Sequence, residues 1–125
     1  MRKIISTNNA PAAIGPYSQA VWAGDTLYSS GQIAIDPATG NLVGPSIEEQ
    51  TKQVMKNIGE ILKAAGLTYA NVVKTTVFIT DMASFGTVNQ IYGEYFKENA
   101  PARSCVEVKS LPKGALIEVE VIAGK

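Results

Sequence analysis

The sequence predicts an α+β domain: a mixed sheet of about six strands with two helices on one face. Three observations carry this. Arg103–Val108 and Ile117–Val121 alternate strictly, the period-two signal of strands with two unlike faces. Two apolar stripes at helical spacing lie between the early strands and these late ones. The 125 residues contain no repeat, linker or low-complexity tract, so residues 1–125 read as one domain able to bury its own core.

Taken in order, Lys3–Ser6 is a short strand and Asn8–Pro16, with Pro11, Gly15 and Pro16, is a loop. Gly15-Pro16 before Tyr17 either aims the phenol or makes an ordinary turn beside a packed tyrosine. Gln19–Ala23, a Gly24-Asp25 turn and Thr26–Ile35 read as a hairpin. Gly31 interrupts its second strand, marking either a bulge or the close approach of a ligand or another backbone. The turn-rich Asp36–Asn41 and Gly44-Pro45 lead to the first helix. Ser46 and Glu49 have capping-box spacing, Ile47, Val54, Ile58, Ile61, Leu62 and Ala65 share a stripe, and Gly66 stands where a left-handed residue ends a helix. Val72–Thr80 is a strand with Val73, Thr75, Val77 and Ile79 opposite Lys74, Thr76 and Phe78. Asp81 or Ser84 caps the second helix, whose core stripe is Val88, Ile91, Tyr92, Tyr95 and Phe96, with Asn89 and Tyr92 able to reach a sheet edge. Pro101 stops the chain before the last two strands, which the 109–115 connection joins as a hairpin.

Composition narrows the chemistry. Eleven basic and eleven acidic residues cancel without a charge run, which argues against sustained nucleic-acid or membrane-surface binding. One cysteine makes no internal disulfide, and Met1-Arg2-Lys3-Ile4-Ile5 runs into polar residues without an apolar stretch of signal length, so a cytoplasmic protein is expected. There is no histidine, which removes Ser-His-Asp and Cys-His nucleophile systems and the commonest zinc ligand. Catalysis, if any, falls to carboxylate, guanidinium, hydroxyl, thiol or backbone groups.

The expected final hairpin has an apolar face and a face carrying Arg103, Cys105 and Glu107 beside Glu118 and Glu120. On an antiparallel sheet with one wet face such residues ordinarily mean solubility and cross-strand pairing. A free cysteine in their midst suggests instead that a ligand or a second subunit covers them. With both helical stripes on the other side, nothing within the chain is left to do so, and a cyclic assembly with pockets between subunits would.

Four blocks carry a resemblance. Ala10-Pro11-Ala12-Ala13-Ile14-Gly15-Pro16-Tyr17-Ser18-Gln19, Ser30-Gly31-Gln32-Ile33, Lys74-Thr75-Thr76-Val77-Phe78, and Pro101 through Val108 with Leu111-Pro112-Lys113, in this order and spacing, resemble the RidA (YjgF) family of enamine/imine deaminases along nearly the whole chain. The resemblance implies a chorismate-mutase-like fold and a homotrimer whose sheets meet in a central barrel, with clefts between subunits. It also implies cofactor-free hydrolysis of 2-aminoacrylate, 2-iminopropanoate and 2-iminobutanoate to 2-keto acids and ammonium. Carried onto this chain, Arg103 would bind the substrate carboxylate and Glu118 would orient water, with Tyr17, Ser30, Gly31, Asn89 and Cys105 lining the site. Two other readings share these residues: a trimeric module that binds small carboxylates and regulates a partner, and an RNA endonuclease or translation inhibitor, which neutral charge and the missing histidine disfavour.

Overall fold

A computed structural model describes residues 2–125; Met1, where the expected domain begins, lies outside the described residues. Eight regular elements follow one another: β1 (Arg2–Ile5), β2 (Ala20–Ala23), β3 (Thr26–Ser29), α1 (Ile47–Ala64), β4 (Val72–Ile79), α2 (Phe85–Tyr95), β5 (Ala102–Glu107) and β6 (Ile117–Gly124). The strands form one mixed sheet in the order β1-β2-β3-β6-β4-β5, in which β4 and β5 are parallel and every other pair is antiparallel.

That order overturns the expected final hairpin. β5 and β6 do not pair; β4 lies between them, hydrogen-bonded to both. Alternation tells which residues of a strand share a face, but not which strand is its neighbour. The helix between β4 and β5 is the connection that parallel pairing needs. β6 then takes the centre, where its apolar face is consumed completely: Ile117, Val119, Val121 and Ala123 are all at most 2% exposed.

Both helices pack on that face. Val54, Met55, Ile58, Ile61 and Leu62 of α1 and Val88 and Tyr92 of α2 join Leu27, Val77, Ile79 and the β6 residues in one core. Ser46 caps α1 by accepting from the Glu49 N–H at 3.1 Å. Its other end closes as expected at Gly66 (φ 78°), with Leu67 N–H donating to Leu62 C=O at 2.8 Å and Gly66 N–H to Lys63 C=O at 3.0 Å. Ahead of α2 the two candidate caps divide the work: Asp81 accepts from Ala83 N–H in the short turn before the helix, and Ser84 makes no side-chain cap bond. Among the described residues no helix is long and apolar enough to cross a membrane.

Several strand edges differ from expectation. β1 and β2 lie one residue off their expected starts. A bulge between Val72 and Lys74 turns Val73 out of the buried row, leaving it 56% exposed. β3 ends at Ser29 rather than Ile35, and the chain rejoins β6 only at Gln32, whose backbone exchanges hydrogen bonds with Val119 at 2.8 and 3.0 Å.

Gly59, inside α1, is explained by Tyr69. The phenol donates to Met55 C=O at 2.6 Å, its ring packs on Tyr95 and Phe96, and burial pushes its pKa up to about 12. A Cβ on Gly59 would stand 2.8 Å from Cζ of that ring. Gly59→Ala is therefore expected to destabilise by about 1–3 kcal/mol, the crowding outweighing the helix propensity gained. Chemical denaturation would check it. Adding Tyr69→Phe should recover part of the loss, and a stabilised Gly59→Ala would remove this role for Tyr69.

Candidate active site

Glu118 lines a largely apolar pocket on the outer side of the sheet. It stands on β6 among outward residues, half-buried, in a cavity walled by Tyr17, Gly31, Ile33, Pro112 and Lys113. Burial, and next to it the Glu120 carboxylate, raises its pKa above the ordinary carboxylate range. Among the described residues it takes part in no ion pair. A carboxyl held ready to exchange a proton in an apolar pocket is what general acid–base chemistry uses.

Gly31 makes room for it. Between Tyr28↔Ile122 and Gln32↔Val119 the chain takes four steps against three on β6, so a bulge sits there. The close approach expected as the other reading is present too: a Cβ on Gly31 would collide with the Glu118 side chain, lying 2.7 Å from its Cδ. The bulge leaves Ser29 Oγ to accept from Val121 N–H at 2.9 Å. Ser30 is tied elsewhere, donating to Ser18 C=O at 2.6 Å, and does not line the cavity.

The wall that bears Tyr17 is held by a residue sequence reasoning did not single out. Gln19, 3% exposed, accepts from Thr7 N–H at 2.7 Å and donates to the carbonyls of Thr7, Ala10 and Pro11 at 3.0, 3.3 and 2.7 Å. One side-chain amide thus satisfies the backbone of a loop without secondary structure of its own. Its sequence signal was slight: a glutamine at the start of a strand. Tyr17 remains 48% exposed at the pocket mouth, its N–H bonded to Gly15 C=O at 2.8 Å.

Arg103 lies elsewhere. It is level with Thr75 on β4, which is level with Val121 on β6, and these point towards the helices. Glu118 is level with Phe78 and, beyond it, Val106, on the opposite face. The expected polar face therefore divides in two. Arg103, Cys105 and Glu107 belong to the helix side, Glu118 and Glu120 to the outer side. On its side Arg103 is well prepared: Nη1 donates to Asn89 Oδ1 at 2.6 Å, and the guanidinium lies 4.9 Å from the Tyr92 ring centroid and 5.3 Å from that of Phe85. Tyr92 is itself fixed by a 2.8 Å hydrogen bond with buried Thr75. Glu107 accepts from Met82 N–H at 2.7 Å, and Cys105 packs against the core.

Burial pushes the Cys105 thiol up, with Arg103 opposing only in part. A thiol in that state is a poor nucleophile. Cys105→Ser is expected to keep activity within about threefold of the parent, while a thiol nucleophile would lose more than about a thousandfold. Turnover by the purified variant decides between the two.

Residues 7–125 match the family described as endoribonuclease L-PSP. The chain belongs to this family. The match spans nearly all of the described residues and agrees with the RidA resemblance. Among its relatives is a rat protein named 2-iminobutanoate/2-iminopropanoate deaminase, 58% identical, the alignment covering 98% of this chain and 90% of the relative. A conserved Rid-family protein from Yersinia pestis has the same fold, with a TM-score of 0.98 and 56% identity over 100% of both chains. The structure of E. coli TdcF with bound serine aligns with a TM-score of 0.94 and 42% identity over 98% of each chain.

The raised Glu118 carboxyl bears on stability as well. A folded-state pKa above the unfolded value means that the ionised form is disfavoured in the fold. Stability is then full below the ordinary carboxylate range and falls as pH rises through the raised value. Glu118→Gln should accordingly be at least as stable as the parent at pH 7 while losing activity. Thermal unfolding at pH 4 and pH 7 tests the sign: a variant less stable than the parent at pH 7 would contradict it.

Proposed function

We propose that this chain is a hydrolytic deaminase of 2-imino acids and their enamine tautomers, 2-iminopropanoate and 2-iminobutanoate among them, and that it works as a homotrimer with clefts between subunits. The observation that carries the activity is the identity of 58%, across 98% of the chain, with a protein that bears that deaminase name. The chemistry of the pocket supports it.

Water adds to the imine carbon, the tetrahedral carbon expels ammonia, and a 2-keto acid remains. Glu118 orients the water, accepts its proton as the C–O bond forms and returns a proton to the departing nitrogen, a cycle for which a raised carboxyl pKa is suited. Arg103 clamps the substrate carboxylate through guanidinium nitrogens that Asn89 does not occupy, a charge-assisted contact of about 1.5–3 kcal/mol. Tyr17 closes the mouth, and Asn89 and Cys105 flank Arg103. Ser30 acts one step back, by tying the Gly31 bulge to the Tyr17 loop.

Assembly follows from the division of Arg103 and Glu118 between two faces. The outer face of the sheet is not covered: Ile4, Val21, Tyr28 and Ile122 form a row across four strands, and Ile4 and Tyr28 are 65% and 45% exposed. A cyclic trimer that buries this face brings the Arg103 edge of one subunit against the Glu118 pocket of the next. Bound serine in E. coli TdcF fits a family pocket of amino-acid size.

Keto-acid release from imine generated in situ by a dehydratase is the test. Faster release with the chain present, from a species of about three times 13.3 kDa by light scattering, is the expected result. An unchanged rate would leave a carboxylate-binding module, and a fully active monomer would defeat the shared cleft.

A further inference from the structure

We infer that Lys113 is a second cation, beside the Arg103 clamp proposed to come from the neighbouring subunit, that draws the anionic substrate into the Glu118 pocket and favours imines that bear a carboxylate. The inference rests on the deaminase reading and adds a residue to it. The pocket faces an electrostatic difficulty: its one acid, Glu118, repels a substrate that is itself an anion, and Arg103 of the same chain lies on the other face of the sheet. Among the described residues lining the pocket, Lys113 is the only basic one. It is exposed, and no carboxylate among the described residues pairs with it. Its charge is therefore available to an incoming ligand.

The backbone shows that the side chain is not there for the sake of the turn. Lys113 has φ 59° and ψ 19°, in the left-handed region that favours glycine. Two turns overlap at this point, with Gly114 N–H donating to Leu111 C=O and Ala115 N–H to Pro112 C=O, both at 3.1 Å. The second left-handed position, at φ 70°, is filled by Gly114. Glycine at 113 would serve the same turns with less strain, yet a lysine occupies the site, at the rim of the pocket. A non-glycine residue kept in this conformation beside a reactive carboxyl points to a use for its side chain.

This geometry separates a structural from a functional role in one variant. Lys113→Gly should unfold at the parent's temperature or above, since the backbone is relieved. At low salt its kcat/KM for 2-iminobutanoate should fall about three- to tenfold, through KM with kcat little changed, as expected for one charge acting across several ångströms of wet pocket. At about 1 M salt, where the Debye length is about 3 Å, parent and variant should converge. Lys113→Arg should restore the low-salt value and Lys113→Gln should not. An imine without a carboxylate should show no difference between parent and Lys113→Gly.

Equal kcat/KM for parent and Lys113→Gly at low salt would overturn the inference, as would a loss through kcat alone or a loss that salt leaves unchanged. If the parent itself releases no keto acid, the deaminase reading fails, and Lys113 is then judged by NMR titration with 2-oxobutanoate. Binding weaker in Lys113→Gly at low salt but equal at high salt sustains the steering role, and equal binding at both ends it.

Discussion

Mixed in equal amounts, refolded together or co-expressed, Arg103→Ala and Glu118→Ala chains are expected to recover about one quarter of parental activity, although each variant alone has almost none. Arg103 and Glu118 stand on opposite faces of the sheet and β4 runs between their strands, so one chain cannot close both around a molecule of a few carbon atoms. In the proposed ring of three, each cleft would take Glu118 from one chain and Arg103 from the next. Random assembly gives mixed rings about three times in four, and each mixed ring has one cleft of three with both residues intact, hence about one quarter. The expected hairpin would have placed both residues on one face of the same chain and given little recovery. Absence of activity in a mixture shown by native mass spectrometry to contain hybrid trimers would rule out the divided cleft.

Gly31→Ala is expected to lose at least about a hundredfold in kcat/KM while unfolding within a few degrees of the parent. The added Cβ meets the flexible end of Glu118 rather than backbone, so the fold can adapt by turning that side chain away. Such a turn moves the carboxyl by an ångström or more, and misplacement of that size in a reacting group costs about a hundredfold. The loss should appear in kcat, because the carboxylate clamp proposed for Arg103 is untouched. Steady-state kinetics with thermal unfolding on the same preparation tests both halves. Activity near the parent's would mean that Glu118 does not act from the position it occupies against Gly31.

Element type and burial were legible in the sequence because they depend on local periodicity. The α1 stripe with its Ser46 cap and Gly66 end, the α2 stripe, and the inward row Ile117, Val119, Val121 follow from spacings within one segment, and all are found. The candidate site residues were legible only in part. Glu118 and Gly31 do meet, and Tyr17 joins them at the pocket wall. Arg103 has its own companions, Asn89, Tyr92 and Phe85, of which Asn89 and Tyr92 were singled out beforehand and Phe85 was not.

What the sequence determined by itself is the set of elements, the face each residue takes within its own strand or helix except where a bulge intervenes, as at Val73, and the absence of histidine that limits the chemistry. What only the tertiary structure decided is strand order. Two alternating strands joined by a short connection satisfy local rules equally well as a hairpin or with a third strand between them. The choice fell to long-range contacts: β6 buries four apolar side chains only at the centre of the sheet, while β5, reached through α2, stays at the edge in parallel with β4. That exchange puts Arg103 and Glu118 on opposite faces of the sheet, which is why the site proposed for both is one between chains.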